Sequence, residues 1–378
     1  MRIAIDVSIQ DTPFLTGVEK AQRSILREIV RLDRMNDYLL ISRKPVTFPF
    51  ALPENFRPIS LEKCNPSYLW RERLLPSMLR KEEVDIYHSP VSAIPVMGKT
   101  AKIATLHELP WVEKGHSVEA TRRMWLFLNI RYARRIIAVS ERTRQNIIKL
   151  YPDAASKVEV IHHGVDEIFQ RNAVVPERAE VLGRFGIPDR PFFMYVGALR
   201  RKKNLEMLVH AFAELPRKAR ESVELVFAGV RNPQSSDLEK AVQTRGLKGR
   251  VHFPGYVTDE DLLGLYHHAE SLLYPSLFEG FGLPPLEAMA CGCPVVASSG
   301  GAIPEVVGDA AIKVDPHDLR AWRDSMERLL TDRPLVTELK ERGFQHVQKY
   351  TWRKTASRVL AIYQAIVDES NAREKSAP

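Results

Sequence analysis

Two carboxylates, Glu279 and Glu287, bracket the stretch EGFGLPPLE, and the residues between them suit a ligand better than a core strand. Gly280 and Gly282 carry no side chain, so the backbone can approach a bound group closely. Pro284 and Pro285 stand where a helix would begin, the position at which proline costs least. The N–H groups of Gly280, Phe281, Gly282 and Leu283 would then point outward from a helix N-terminus, an arrangement that attracts anions. Glu287, placed in the first turn of that helix, has two readings. It complements the helix dipole, worth about 0.3 to 1 kcal/mol, or it accepts both hydroxyls of a ribose, as acidic residues do in dinucleotide folds. Glu279 precedes the helix and gains nothing from the dipole, and a carboxylate beside flexible glycine suits a polyhydroxylated ligand. Phosphate cradle, ribose acceptor and sugar-binding carboxylate in one stretch describe a nucleotide-sugar pocket.

A second patch, YVGALRRKKNL, fits the first. Gly197 closes a strand, Arg200, Arg201, Lys202 and Lys203 follow, and Asn204 stands as the N-cap of the next helix. Such a run is either a solvated turn or a diphosphate site. At about 4 Å and an effective dielectric near 20, each pair of unit charges interacts by about 4 kcal/mol, enough to hold a leaving diphosphate without a metal. The acidic triplet Asp259, Glu260, Asp261 contains an Asp-x-Asp pattern but follows Thr258 at a helix start, where acids are common. Cys291 and Cys293 lack metal-ligand spacing and a second ligand pair, so they read as small buried residues at a helix end. No metal and no cofactor are expected.

The elements that must position these residues read as βα alternation, the signature of a parallel sheet. RIAIDV, YLLISR, VDIYHS, KIATLHE, RRIIAVS and KVEVIHHGV form one strand series, and PFFMYVGAL, VELVFAG, VHFPGYV, SLLYPS, CPVVAS and AAIKVD a second. Helical stretches such as GVEKAQRSILREIVRL and DEDLLGLYHHAE lie between them. The 378 residues exceed what one core usually serves, so two domains of roughly 150 to 200 residues follow. Charge, Gly186, Pro188 and Pro191 place the join at 185/186. In open α/β sheets ligands bind beyond the carboxyl ends of the strands, where both patches lie.

Composition narrows the class: 44% hydrophobic and 27% charged is that of an ordinary globular protein. Three cysteines, including Cys64, suit a reducing compartment and a cytoplasmic location. The opening MRIAIDVSIQD reads as a strand, and the most apolar stretch, WLFLNIRYARRIIAVS, is interrupted by Arg131, Arg134 and Arg135. The net charge of +8 is concentrated in residues 1–184, with 29 basic against 22 acidic residues. That half faces an anionic partner, whether phospholipid, lipid diphosphate or nucleic acid, or it is a solvated surface. TRRMWLFLNIRYARR is either an interfacial helix on anionic lipid or a core helix with a basic outer face. His162 and His163 point to opposite sides of an extended segment.

Gly197 with the basic run and Asn204, then PSLFEGFGLPPLEAMACGCPVVAS, then GGAIPEVVGDAA resemble the retaining nucleotide-sugar glycosyltransferases of family 4. The resemblance spans nearly the whole second domain. Over the first it rests on TGVEKAQRSIL, TLHELP, AVSERTRQNI and HHGVD, and within the family the chain looks most like bacterial mannosyltransferases of surface-polysaccharide assembly. It implies the GT-B fold, two Rossmann-like domains facing across a cleft. The acceptor-binding domain would span 1–185 with a C-terminal helix at 353–378 crossing back, and the donor domain 186–352. By the same resemblance Glu279 contacts donor sugar hydroxyls, Glu287 the ribose, the backbone of Gly280 to Leu283 the sugar and phosphate, and Lys202 and Lys203 the diphosphate. Tyr256 and Val257 take the base, Gly17 approaches the diphosphate, and His107 lies near the reacting sugar. The chain departs from the family in having Lys202 where arginine is frequent, one glycine at Gly17 where two are frequent, and Glu108 after His107.

The implied reaction is metal-independent transfer of a hexose, mannose first, from a GDP- or UDP-linked donor to a glycan or lipid-linked acceptor, with retention of anomeric configuration. Protein groups chiefly stabilise developing charge. Peripheral contact with the inner face of an anionic membrane would go through the basic first domain. Rival readings are another GT-B enzyme, such as a sugar-nucleotide epimerase or phosphorylase, and a nucleic-acid-binding protein. The last lacks a recognition helix or aromatic platform and leaves the glutamate pair unused, and a Rossmann oxidoreductase lacks GxGxxG after the first strand.

Overall fold

The computed structural model describes residues 1–10, 15–61, 70–109, 120–231 and 235–376. Cys64 lies outside the described residues. The chain divides into two compact units, Met1–Gly164 with Trp352–Pro378, and Val165–Thr351.

The first unit is a seven-stranded parallel sheet in the order β3-β2-β1-β4-β5-β6-β7. Its strands are β1 (Arg2–Asp6), β2 (Asp37–Ser42), β3 (Phe56–Ser60), β4 (Ile86–Ser89), β5 (Ala101–Leu106), β6 (Arg135–Ala138) and β7 (Val158–Val160). Both faces are covered, so the strands carry near-continuous apolar runs: β1 reads Arg-Ile-Ala-Ile-Asp with only Arg2 less than buried. The helix Gly17–Leu32 begins with a capping box, in which Glu19 accepts the Thr16 N–H at 2.9 Å. It shares one face of the sheet with the helix Trp352–Ser376, burying Leu26, Ile29, Val359, Ile362 and Tyr363 against Ile3 and Ile5. Trp70, Leu75, Leu126, Ile130 and Ile147 cover the other face. One strand escaped the sequence reading: β3 sits at the sheet edge with only Phe56 buried and contains Pro58. Edge strands tolerate proline but hide their periodicity.

The second unit is a six-stranded parallel sheet in the order β10-β9-β8-β11-β12-β13. The strands are β8 (Phe192–Val196), β9 (Glu224–Ala228), β10 (Val251–Gly255), β11 (Ser271–Tyr274), β12 (Val295–Ser298) and β13 (Ile312–Val314). The sequence order reverses between β8 and β11, which makes their carboxyl ends the switch point of the sheet.

The join expected at 185/186 lies earlier, at 164/165, and the return falls at 351/352. The helix Arg178–Arg184, read from sequence as linker, packs on the helix Asp259–His268. Arg184 pairs with buried Asp261, and Arg178 donates to the His268 carbonyl at 2.9 Å. Val181 sits so close that a Cβ on Gly264 would lie 2.7 Å from its methyl group. Proline, glycine and charge mark a connection but do not say which sheet a short helix will join. Among the described residues, no helix is long and apolar enough to cross a membrane.

Candidate functional site

Loops at the carboxyl ends of β8, β11 and β12 converge at the switch point of the second unit. After β8 the chain turns through Arg201–Lys203, and Asn204 adopts the left-handed conformation at φ 56°. Asparagine tolerates that region because its short side chain finds local partners; here Nδ2 donates to the Pro316 carbonyl at 2.7 Å. The Leu277 N–H donates to the Lys202 carbonyl at 2.9 Å, tying this turn to the loop after β11. From the other side, Ala302 N–H donates to the Glu279 carbonyl at 2.9 Å. A Cβ on Gly301, at φ 59°, would lie 2.6 Å from that same oxygen, so the close approach requires glycine.

Pinned between these loops, Glu279 and Lys203 form an ion pair with side chains only 10% and 13% exposed. The Tyr274 hydroxyl donates to the same carboxylate at 3.1 Å. Burial alone would raise the Glu279 pKa, but Lys203 and then Lys202 outweigh it and hold the carboxyl below its ordinary range. Burial and the neighbouring Glu279 push the Tyr274 hydroxyl well above its usual value, so it stays a donor. The four cations of the basic run divide. Arg201, 74% exposed, turns away to pair with Asp237 at 2.7 Å, while Lys203 turns inward.

The helix after this loop spans Leu283–Ala290 with Gly282 as N-cap at φ 111°. A helix opens with four N–H groups lacking helical partners. Pro284 and Pro285 remove two of them, leaving those of Gly282 and Leu283. Glu287 is the fifth residue of this helix rather than in its first turn, which carries no acid. It is buried, and Tyr266 donates to its carboxylate at 3.0 Å. The dipole reading of Glu287 therefore falls away.

Gly197 follows β8 with φ 138°. Its N–H donates to the Ala228 carbonyl at 2.9 Å, and a Cβ on Gly229 would lie 1.9 Å from the Gly197 carbonyl oxygen. Tyr256, 41% exposed, and buried Val257 follow β10. That strand is two places from β8, about 10 Å along the sheet, so the structure sets them apart from the ion pair along the same rim. Elsewhere in the unit, the Thr258 hydroxyl accepts the Asp261 N–H at 3.2 Å, which makes the acidic triplet a helix start. Burial raises both cysteine thiols, Cys293 to about 12.

In the first unit, Gly17 opens the helix after β1, and His107 follows β5. His107 Nε2 lies 2.8 Å from the Pro90 carbonyl. A carbonyl only accepts, so Nε2 carries the proton and Nδ1 is left as an acceptor. Burial lowers the His107 pKa, opposed by the Pro90 bond. The His163 ring stands 5.4 Å from that of His107 and 5.5 Å from Trp352. His163 is buried and His162 half-buried, the alternation an extended segment gives. A cavity of about 40 Å³ here is lined by Val18, Gln22, His88, His107 and His163 among others.

Sequence reasoning missed Tyr274 and Tyr266; of the pair His162 and His163, expected on opposite sides of an extended segment, His163 is the one that lines the cavity with His107. Tyr274 and Tyr266 orient the two glutamates; for Tyr274 the available signal was a tyrosine ending a buried strand just before a polar loop, since its hydroxyl must find a partner, whereas Tyr266 sits within the helix Asp259–His268.

Two parallel α/β units, one with a buried lysine–glutamate pair at its switch point, define a doubly wound α/β architecture. Residues 178–346 match the family described as Glycosyl transferases group 1, and residues 21–168 that described as Glycosyltransferase Family 4. O-antigen chain mannosyltransferase B of Escherichia coli is 30% identical over 292 residues, 76% of each chain. The serotype-specific mannosyltransferase WbdA of Escherichia coli is 32% identical over 238 residues, which are 62% of this chain but 29% of that protein. Sucrose-phosphate synthase from Thermosynechococcus elongatus has the same fold, with a TM-score of 0.77 at 22% identity, covering 97% of this chain and 99% of that one. The chain belongs to the group 1 and family 4 glycosyltransferases, with the GT-B fold.

Proposed function

We propose that the protein is a retaining, metal-independent hexosyltransferase that moves mannose from GDP-mannose to a glycan or lipid-linked acceptor during surface-polysaccharide synthesis. The observation that carries the reading is the buried Lys203–Glu279 pair at the switch point, beside the N-terminus of the helix Leu283–Ala290 with Gly282 as its N-cap. Lys203 and Lys202 take the diphosphate and stabilise it as it leaves, while the loop backbone from Gly280 through Phe281 to Leu283 cradles sugar and phosphate. Glu279 accepts donor sugar hydroxyls, and Glu287 the ribose hydroxyls. Gly197 gives the donor close access to backbone, and Tyr256 and Val257 flank the base. From the first unit, Gly17 meets the diphosphate, and His107 offers Nδ1 to a sugar hydroxyl. The similarity to two mannosyltransferases supports mannose as the sugar, and the concentration of positive charge in residues 1–184 supports work at the inner face of an anionic membrane.

The test is a thermal-shift screen against GDP, UDP, ADP and their sugars with EDTA present, followed by product anomer assignment by NMR. A ligand at 100 times its dissociation constant stabilises by about 2.7 kcal/mol. A shift with GDP-mannose that disappears in Lys203→Ala, and an α-linked product, are expected. A shift with UDP-sugars alone replaces the donor, and an inverted product or a strict metal requirement overturns the mechanism.

A further inference from the structure

His88, His107 and His163 line one cavity of about 40 Å³ in the first unit, and their ring nitrogens are engaged differently. His88 has both engaged, Nδ1 at 2.6 Å from the Tyr363 hydroxyl and Nε2 at 3.0 Å from that of Thr105. His107 has Nε2 bound to the Pro90 carbonyl at 2.8 Å and keeps Nδ1 as an acceptor. A single hydrogen bond holds a ring at one point and leaves it free to turn about that bond.

His163 supplies a second point of support. Its ring packs on two others, that of His107 at 5.4 Å with an interplanar angle of 33° and that of Trp352 at 5.5 Å with 44°. Both separations fall in the range of roughly 4.5 to 7 Å over which aromatic rings attract one another. His107 is half-buried, whereas His163 and Trp352 are 4% and 5% exposed, so the two stand on the inner side of His107. The backing is itself fixed. Trp352 opens the helix Trp352–Ser376, and on that helix the Thr355 hydroxyl donates to the His162 carbonyl at 2.8 Å.

The packing bears on charge as well as on position. Burial favours the neutral form of His107, against the Pro90 bond and the charges of Glu108 and Glu19. At His163 burial, then His107 and His162, all favour the neutral ring. Burial holds His88 neutral too. Neutral imidazoles can lie side by side, whereas a proton on one of them would leave a poorly hydrated charge beside the cavity.

We infer that His163 is a positioning residue, whose neutral ring backs His107 against Trp352, fixes the His107 imidazole with Nδ1 available to the reacting sugar, and keeps water out from behind it. The inference rests on the reading of His107 as the group that meets that sugar, and deepens it.

The test has two readouts on the full chain. In the first, the histidine-labelled protein is titrated by NMR between about pH 4.5 and 8, with the His107 resonance assigned by its loss in His107→Ala. His163→Ala is expected to raise the His107 midpoint toward 6.5, the ordinary value, as water replaces the ring; His163→Phe, which keeps a ring in place, is expected to hold it at the wild-type value. This titration needs no substrate. In the second, turnover is followed as GDP release from GDP-mannose. It is expected to fall about tenfold in His163→Ala, less than the hundredfold that a 1 Å misplacement can bring, to recover in His163→Phe, and to fall no further when His163→Ala is added to His107→Ala. An unchanged His107 midpoint in His163→Ala overturns the inference. So does a further loss on top of His107→Ala, because a residue that acts through His107 has nothing left to act through there. If the alanine variant does not fold, a His163→Phe variant as slow as His107→Ala overturns it instead. Full turnover in His107→Ala refutes the reading of His107 and the inference with it, an outcome distinct from failure at His163 alone.

Discussion

Removing Lys203 leaves a carboxylate almost completely buried without its main counter-charge. Breaking such a pair from one side costs about 3 to 5 kcal/mol, and the lower end applies here because Lys202 also acts on Glu279 and Tyr274 still donates to it. Glu279→Gln costs a similar amount by stranding the ammonium. The double variant Lys203→Met/Glu279→Gln buries neither charge, so it is expected to fall short of the sum of its single effects by about 1 to 3 kcal/mol. The pH dependence changes sign as well. In wild type the carboxyl is held below its ordinary range, so its contribution to stability is present above pH 4.5, the usual value, and is lost as pH falls through the lower folded value. In Lys203→Ala burial dominates and raises the carboxyl, so the folded state takes up the proton first and stability rises as pH falls from 7 toward the unfolded value. Urea unfolding of the second unit, followed through Trp322, its only tryptophan, measures both. Single effects that add to within about 0.5 kcal/mol, or a Lys203→Ala slope with the wild-type sign, would refute the reasoning.

Three further outcomes follow from the geometry. Lys203→Ala is expected to lower turnover by about a hundredfold or more, as loss of a preorganised charge-stabilising group does, and His107→Ala by less; equal losses in steady-state assays would remove leaving-group stabilisation as the main contribution. Gly229→Ala places a methyl group 1.9 Å from the Gly197 carbonyl and is expected to cost about 3 kcal/mol or more together with the nucleotide thermal shift. Gly246→Ala, at φ 67° with open space around it, is expected to cost only about 1 to 2 kcal/mol and to leave nucleotide binding intact; similar effects of the two would deny the close approach. His88, buried between Tyr363 at 2.6 Å and Thr105 at 3.0 Å, has its pKa lowered by burial to about 4. The unfolded chain takes up that proton near pH 6.5 and the folded one does not, so stability falls as pH drops from 6.5 toward 4, by about 1.4 kcal/mol per unit from this residue. A His88→Gln variant with an unchanged slope in denaturant titrations between pH 6.5 and 5 would count against it.

The strands were legible because a parallel sheet covered on both sides must write its strands as apolar runs, and Phe192–Val196 or Val295–Ser298 can be read almost residue by residue. Strand β3 was not, since an edge strand with one buried residue has no run to show. The loop from Glu279 to Leu283 was legible because glycine and proline act locally, on backbone angles and N–H groups. The partners of its glutamates were not, since Tyr274 and Tyr266 reach Glu279 and Glu287 through tertiary packing that no fixed spacing encodes. Glu287 was placed one residue too early in its helix for a related reason. The helix begins at Leu283 rather than at Pro284, and boundaries are decided by capping geometry. The basic run read as one feature, yet Arg201 and Lys203 took opposite directions once Asp237 and Glu279 were in place.

The helix Trp352–Ser376 supplies Ala356, Val359, Ile362, Tyr363 and Ile366 to the core of a unit whose other residues end at Gly164. A ribosome makes the chain from its N-terminus, so the first unit to be started is the last to be finished. The residues of Val165–Thr351 are all available while the earlier sheet still lacks the helix that covers one of its faces, and that exposed apolar face must wait for the rest of the message to be read. Proteolysis of released chains truncated just before Trp352 should cut within residues 1–164 and spare 165–351; equal resistance of both would mean that the earlier unit closes without its final helix.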